Sequence, residues 1–299
     1  FGMPIAYLPF FSHPDPTVKQ RSGFLRPNFV YDKNLGYAAE IPYYFALAPD
    51  YDLTVSTTTY TIQGPLGEFE WRQRFEKGEY KVRGAGIFQQ DPGVFEPYSS
   101  DNREFRGVLQ TDGLFEINSF WKWGWKGTLL SDETFMRTYD LTNATETRDQ
   151  IFLTGQSARN WFDARVMHYQ VFLDPYRFSN ETQPIIHPVV DYNYIFDQTV
   201  FGGRLSVDAN VLSLTREEAE FLPTVAYAGN CPTGVLNNTN KFSNYTPAQQ
   251  AGLLARVNSI DCELIGTPGS STRLVSEARW DRSITDGFGQ VFPPVSYTP

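Results

Sequence analysis

The sequence has few of the residues that most often carry catalysis or bind metals. Its 299 residues include two cysteines, Cys231 and Cys262, and three histidines, His13, His168 and His187. The cysteines lack the close spacing of a zinc site, and neither His13 nor His187 has a serine or carboxylate partner at a motif spacing. His168 alternates with apolar residues, which favours a position in a strand wall over a ligand role. Nucleophile-elbow, H-E-x-x-H, P-loop and C-x-x-C motifs are also missing. The sequence therefore predicts a protein that is not an enzyme and holds no metal or cofactor.

Long apolar runs and excess positive charge are missing as well. The stretch "IPYYFALAP" breaks after a few residues, whereas a membrane helix needs about 20. This excludes a helical span but leaves open a membrane barrel, whose strands alternate apolar and polar residues. A net charge of −9 argues against a nucleic-acid partner. The chain starts at Phe1 without a leader, and we expect it to be an internal piece of a longer protein.

Aromatic residues, by contrast, make up 16% of the chain, and apolar residues recur with a period of two. In "EFEWRQRF", Phe69, Trp71 and Phe75 fall on one face, and the charged residues fall on the other. The same alternation marks "YKVRGAGIF", "LSVDANV" and "RLVSEARWDR", with turn sequences such as "EKGEY" and "GPLG" between the stretches. This pattern predicts an all-β, antiparallel meander.

The stretch "WKWGWKG" has the same period and suggests which face meets lipid. Trp121, Trp123 and Trp125 fall on one face, and Lys122 and Lys126 fall on the other. A charge on the lipid face of a barrel costs about 2–4 kcal/mol near the midplane. We therefore expect the tryptophans to face lipid and the lysines to face a water-filled lumen.

Alternation alone does not separate a membrane barrel from a soluble sandwich or solenoid. Charged polar faces, glycines on the apolar faces and clustered aromatic residues favour the barrel. On the residues alone, a soluble β-rich binding protein stays open as an alternative.

The two cysteines bracket a polar segment rich in Asn, Ser and Thr. A polar loop offers no core for free thiols, which favours a Cys231–Cys262 disulfide over two unrelated buried thiols. Inside this segment Thr246, followed by Pro247, has the chemistry of a helix start.

Prolines mark the first two expected strands. The segments 5–12 and 23–31 are apolar and joined by a polar turn, and they carry Pro9 and Pro27. Because proline has no N–H, each removes a ladder hydrogen bond worth about 0.5–1.5 kcal/mol. Both prolines could also simply end their strands near turns.

Several blocks of the chain resemble one known family. The blocks "YLPFFSHP", "RSGFLRPNF", "IPYYFALAPDYDLT" and "EFEWR" resemble the start of the barrel of the LptD (OstA) family of outer-membrane lipopolysaccharide-assembly proteins. Further on, "LLSDETFMRTYDL", "FGGRLSVDANVLSLTRE" and "TRLVSEARWDRSITDGFGQVFPP" resemble its alphaproteobacterial branch. The resemblance extends over essentially the whole chain.

The resemblance implies part of a very large transmembrane β-barrel. Residues 1–12 would be the end of a periplasmic jellyroll link and the first barrel strand, and residues 13–299 would form roughly the first half of the barrel. We expect an open sheet whose first and last strands are edges, with apolar residues on one side and charged residues on the other. Cys231 and Cys262 do not match the family cysteines that tie jellyroll to barrel, so that maturation pathway is not carried over.

The resemblance also implies a function. Family proteins insert lipopolysaccharide into the outer leaflet of the outer membrane of Gram-negative bacteria, through the lumen and a lateral gate between the first and last strands. Implied partners are lipopolysaccharide, outer-membrane lipids, an LptE-like lipoprotein plug and the periplasmic transport bridge. Pro9 and Pro27 would then weaken the gate. The alternatives are a generic porin-like or autotransporter barrel and a soluble secreted β-rich binding protein.

Overall fold

The structure is a computed structural model that describes residues 20–95, 99–172, 180–217, 220–223, 248, 262–265, 269–285 and 291–297. Pro9, Cys231 and most of the expected helix after Thr246 lie outside these residues. No helix of the described residues is long and apolar enough to cross a membrane.

The described residues form an almost purely β structure, which confirms the expected fold class. Ten long strands make up its regular part: β3 Gly36–Ala46, β4 Tyr51–Tyr60, β5 Gly64–Phe75, β6 Gly78–Phe88, β7 Phe105–Glu116, β8 Trp121–Leu130, β9 Glu146–Gln156, β10 Asn160–Val171, β11 Ile185–Ile195 and β12 Arg204–Arg216. Shorter or terminal elements complete it: β1 Gly23–Phe24, β2 Asn28–Asp32, β13 Glu220–Pro223, β14 Cys262–Ile265, β15 Gly269–Thr285, β16 Val291–Tyr297 and the one-turn helix α1 Phe135–Thr138.

The strands form one antiparallel meander. The 14-stranded sheet runs from β1 and β2 through β3 to β12 and then to β15 and β16, while β13 and β14 pair separately. Within the described residues no ladder joins β16 to β1 or β2, so the described sheet is open. The expected first strand, residues 5–12, lies outside the described residues, so its place as an edge of the sheet stays a prediction. The strands β3 to β12 contain 10–13 residues each, enough for a tilted membrane-spanning strand.

Tight turns at one end of the sheet follow from local chemistry. After β2, the Asp32 carboxylate accepts the backbone N–H groups of Asn34 (2.7 Å) and Leu35 (3.0 Å), which fixes an Asx turn. Gly36 follows with a φ of 84°, a left-handed conformation that glycine adopts without strain. The chain can therefore reverse direction within a few residues.

The strands β7 and β8 form a hairpin. β7 ends at Glu116 and β8 begins at Trp121, and the register pairs Phe115 with Trp123. Odd-numbered residues consequently share a face on both strands. The Phe115 ring stacks on Trp123 and Trp125, with centroids 5.6 and 5.8 Å away.

The hydrophobic core lies at one end of the sheet, around α1. The connection 131–145 between β8 and β9 folds back against the sheet, and Phe135 and Met136 of α1 are buried there. The buried apolar residues of this cluster come from strand ends and connections: Leu35, Ala38, Tyr60, Leu66, Ile87, Phe95, Phe135, Met136, Tyr139 and Phe172. We call the sheet face that α1 lies against the inner face, and the opposite one the outer face.

The middle of β8 is packed too closely for a side chain at Gly124. A Cβ there would lie 2.5 Å from the Gly113 carbonyl oxygen and 2.7 Å from the Phe152 ring. At Gly127, on the same strand, the nearest atom would be 3.8 Å away, at Thr111. The two glycines therefore differ in packing although they share a strand.

We predict that Gly124→Ala lowers the free energy of unfolding by about 1–3 kcal/mol, because the backbone of β7 must move to admit the methyl group. Denaturant unfolding of the detergent-solubilised protein measures this. Gly127→Ala is the matched control and should be neutral. Equal effects of the two substitutions would contradict the packing described for Gly124.

Candidate functional site

The two faces of the sheet differ sharply in charge. Every Lys and Arg of β3 to β12 has its register position on the inner face. These residues are Arg72, Arg74, Lys81, Arg83, Arg106, Lys122, Lys126, Arg148, Arg165, Arg204 and Arg216. The pleat of an antiparallel sheet sends alternate residues to opposite faces, so a period of two in the sequence becomes this separation.

Ion pairs link the inner-face charges across neighbouring strands. Arg72 lies 2.8 Å from Asp52, and Lys122 lies 2.8 Å from Glu116. Lys81 is 3.4 Å from Asp112 on the next strand. These pairs are largely exposed, so water screens them and each contributes little to stability. Their main effect is to give the inner face a wet, charged surface.

A cavity of about 630 Å³ lies between the α1 connection and the inner face of β2 to β7. The strand side contributes polar residues such as Thr54, Ser56 and Thr58, and the connection closes it from above with Met136 and Leu141. Its charged lining residues are mostly acidic: Asp32, Glu40, Glu68, Glu70 and Asp140 with Arg83 and Arg137. The space beside the first strands is therefore polar and has a negative balance.

A buried arginine fastens the connection to the sheet. The Arg106 side chain of β7 is fully buried, and its Nε and Nη2 donate to the Asp132 carboxylate at 3.0 and 2.7 Å. Nη2 also lies 2.7 Å from Asp101. The guanidinium carbon lies 5.5 Å from the ring centroids of both Phe135 and Tyr139. Two carboxylates and two aromatic rings thus compensate the buried charge of Arg106. Without such partners, burying an arginine would be strongly unfavourable.

Two pKa shifts reflect this environment. Burial by itself would raise the pKa of Asp132, but hydrogen bonds and charge from Arg106 outweigh it and hold the pKa below its usual value. Burial raises the pKa of Tyr139, whose hydroxyl donates to the Gln89 amide oxygen at 2.6 Å. At neutral pH, Asp132 is therefore ionised and Tyr139 is protonated.

The pairing of β1 and β2 with β3 is interrupted near Pro27. Phe24 pairs with Tyr43 and Asn28 with Glu40, so residues 25–27 lie opposite residues 41–42 as a bulge. Pro27 is exposed in this gap.

A second proline, Pro42 of β3, weakens the same ladder. Leu25 N–H donates to the Pro42 carbonyl at 2.9 Å. Pro42 has no N–H, so it returns no bond to Leu25. The first ladder of the sheet therefore lacks part of its backbone hydrogen bonding.

The outer face carries exposed apolar side chains across the whole sheet. Large examples are Tyr37, Ile41, Phe69, Phe88, Phe105, Leu109, Trp123, Leu129, Ile151 and Leu274. Trp121, Trp123 and Trp125 share this face, and Lys122 and Lys126 lie on the inner face, as the period of two predicts. Monomeric soluble proteins rarely expose an apolar surface this large.

Comparisons with known proteins place the chain in a family. The family model described as LPS transport system D, LptD, matches residues 104–298, more than half of the chain. The chain belongs to the LptD family. The resemblance noted in the sequence is thereby confirmed at the level of the family.

Several LptD proteins are similar to this chain. The LPS-assembly protein LptD of Actinobacillus pleuropneumoniae serotype 7 (strain AP76) is 24% identical across 98% of this chain and 38% of its own length. Its namesake from Francisella tularensis subsp. novicida (strain U112) is 32% identical across 47% of this chain and 15% of its own length. The one from Methylococcus capsulatus (strain ATCC 33009 / NCIMB 11132 / Bath) is 47% identical over 72 residues, 23% of this chain and 7% of its own length. The chain thus spans well under half of each relative.

The site residues predicted from the sequence of this LptD-family chain do not lie together in the structure. Pro27 lies in the first ladder, and the three tryptophans lie far along the sheet, on β8. Pro9 and Cys231 lie outside the described residues, so the first gate proline and the disulfide stay predictions. Cys262 is the first residue of β14 and pairs with Pro223 of β13.

Sequence reasoning missed three features of the site. Pro42 stands inside an alternating run, and only the register shows that its missing donor faces Leu25. Arg106 and Asp132 are 26 residues apart, so no local pattern connects them. The helix α1 is a single turn, too short to show a helical period.

We predict that Asp132→Asn lowers the free energy of unfolding by about 3 kcal/mol, because the buried Arg106 charge then loses its best-aligned partner. Glu79→Gln breaks an exposed pair with Arg74 and should cost less than about 0.5 kcal/mol. Because the folded-state pKa of Asp132 is lowered, its stabilising contribution is complete above about pH 4 and lost as the pH falls further. The difference between wild type and Asp132→Asn should therefore shrink in acid. A difference that stays constant down to acid pH would contradict this role.

Proposed function

We propose that this chain forms part of the wall of an outer-membrane β-barrel that transports lipopolysaccharide to the outer leaflet in a Gram-negative bacterium. The observation that carries the proposal is the separation of faces: strand cations face inward, and large apolar side chains are exposed outward. In a barrel the inner face would carry the sugar part, and the outer face, including Trp121, Trp123 and Trp125, would contact lipid. Family membership supports lipopolysaccharide as the substrate. This is transport, with no bond-breaking chemistry.

We further propose that the lipid part leaves through a lateral gate between the first and last barrel strands, and that the weak first ladder lets the first strands move aside to open it. The bulge at residues 25–27 and the missing N–H of Pro42 support this, because both leave the pairing of β1 and β2 with β3 short of hydrogen bonds. A strand with fewer ladder bonds separates from its neighbour at lower cost, by about 0.5–1.5 kcal/mol for each bond that is missing. Pro9, on the preceding segment, would act in the same way.

The partners that the sequence resemblance implies belong to this proposal. They are an LptE-like lipoprotein plug within the lumen and a periplasmic bridge that delivers lipopolysaccharide to the jellyroll domain. A wet, charged inner face supports contact with a soluble domain and with sugars, and it would be costly if it faced hydrocarbon.

The gate proposal predicts that Pro27→Val combined with Pro42→Val in the full-length protein lowers surface lipopolysaccharide several-fold while the barrel still folds. The N–H restored at position 42 would complete the pair with Leu25, and replacing Pro27 removes a fixed backbone angle from the bulge, so the first ladder would cost more to open. Surface lipopolysaccharide is measured by antibody labelling of intact cells, and folding by heat-modifiable migration on gels.

Pro65→Val is the matched control, because Pro65 lies in β5, well inside the sheet, and pairs with Thr59. It should leave export unchanged. Normal surface lipopolysaccharide in the double variant, or an equal loss in the Pro65→Val control, would contradict the gate.

A further inference from the structure

Two inner-face cations of the strands β5 to β10 differ from the others on these strands. The Lys and Arg residues of β5 to β10 other than these two make ion pairs: Arg72, Arg74, Lys81, Arg83, Arg106, Lys122 and Arg165. Lys126 of β8 and Arg148 of β9 make none with the described residues. Both line the same small cavity on the inner face, with a volume of about 300 Å³.

The cavity exists because β8 and β9 diverge. Their ladder ends at the pair Lys126 and Gln150, although β8 continues to Leu130 and β9 begins at Glu146. β9 stays paired with β10 along its whole length. The wall is therefore split at this end and leaves a recess beside the last pair.

Side chains close the split in place of backbone bonds. Gln170 Nε2 donates to the Thr128 carbonyl at 2.9 Å and also to the Asp149 carboxylate. Thr128 is almost fully buried. Gln170 therefore links β8 and β9 beyond the last pair of their ladder.

The lining has the chemistry of a site for an anionic sugar. Lys126 and Arg148 are the cations, and Glu146, at the end of β9, is the one carboxylate among the lining residues. The side-chain oxygen of Gln150 accepts a hydrogen bond from Arg165 Nη1 at 3.4 Å. The amide N–H groups of Gln150 can therefore donate to a ligand. Tyr169 contributes a ring on which a sugar can pack. Arginine and lysine bind phosphate and carboxylate through charge-assisted hydrogen bonds.

We propose that Lys126 and Arg148 form an inner-face subsite for a saccharide that carries a phosphate or carboxylate group. This inference rests on the proposed function. It adds the place on the inner face where the anionic sugar part of the substrate binds during transport. The positive pair lies well along the sheet from the mostly acidic cavity beside the first strands. An anionic sugar would therefore be held more strongly at β8 and β9 than in the acidic cavity.

The direct test is binding of glucose 6-phosphate, glucose and inorganic phosphate to the full-length protein by isothermal titration. We expect glucose 6-phosphate to bind more tightly than either of the others. The double variant Lys126→Gln, Arg148→Gln should weaken the binding of glucose 6-phosphate at least tenfold, whereas the charge-preserving Lys126→Arg, Arg148→Lys should retain most of the affinity.

Lys122→Gln is the matched control, because Lys122 lies on the same strand and face as Lys126 but is paired with Glu116. An unaffected double variant would overturn the site, and equal affinity for inorganic phosphate would overturn its assignment to a sugar.

A second experiment separates failure of this inference from failure of the proposed function. A photo-crosslinking residue is placed at Tyr169 or, in the acidic cavity, at Thr54 of the full-length protein in cells. Lipopolysaccharide should be captured at Tyr169, and the double variant should abolish that capture. Capture at Thr54 but not at Tyr169 would overturn the subsite alone, and capture at neither position would contradict transport along the inner face.

Discussion

The pleat of the antiparallel ladder is the constraint on which the rest of this molecule depends. From β3 to β10 the register runs without a shift, so one choice of face at β3 fixes the face of every residue along the following strands. A slip of one residue would put each charge among the exposed aromatic side chains. In the lipid environment proposed for the outer face, such a slip would cost several kcal/mol for each charge. The register is therefore held by the whole pattern and by no single contact.

The structural features proposed to have a function lie where this ladder is incomplete. At the first edge, a bulge at Pro27 interrupts the pairing of β1 and β2 with β3, and Pro42 lacks the N–H that would complete its pair with Leu25. At the split between β8 and β9, side chains replace backbone bonds and two cations stay unpaired. Between these places, the connection carrying α1 is held to β7 by Arg106 and Asp132. The buried pair decides the position of the connection, because its loss would leave an uncompensated charge, whereas the exposed inner-face pairs contribute little individually.

The sequence was informative wherever the information is local. A period of two predicts both the strands and the faces of Trp121, Trp123 and Trp125, because strand geometry links neighbours in sequence to opposite sides of the sheet. Long-range features were not accessible in the same way. The pairing of Arg106 with Asp132, the ladder position of Pro42 and the recess at Lys126 depend on register between distant segments.

The central claim is that the two faces of one continuous sheet meet different solvents. Nitroxide labels placed singly along β9 of the full-length protein in lipid bilayers test it most directly, in a background with Cys231→Ser and Cys262→Ser. The account predicts that labels at Ile151 and Leu153 collide with oxygen dissolved in lipid, and that labels at Gln150 and Thr154 collide with a water-soluble nickel reagent. Equal access of the nickel reagent to all four positions would show that both faces are in water and would contradict the account.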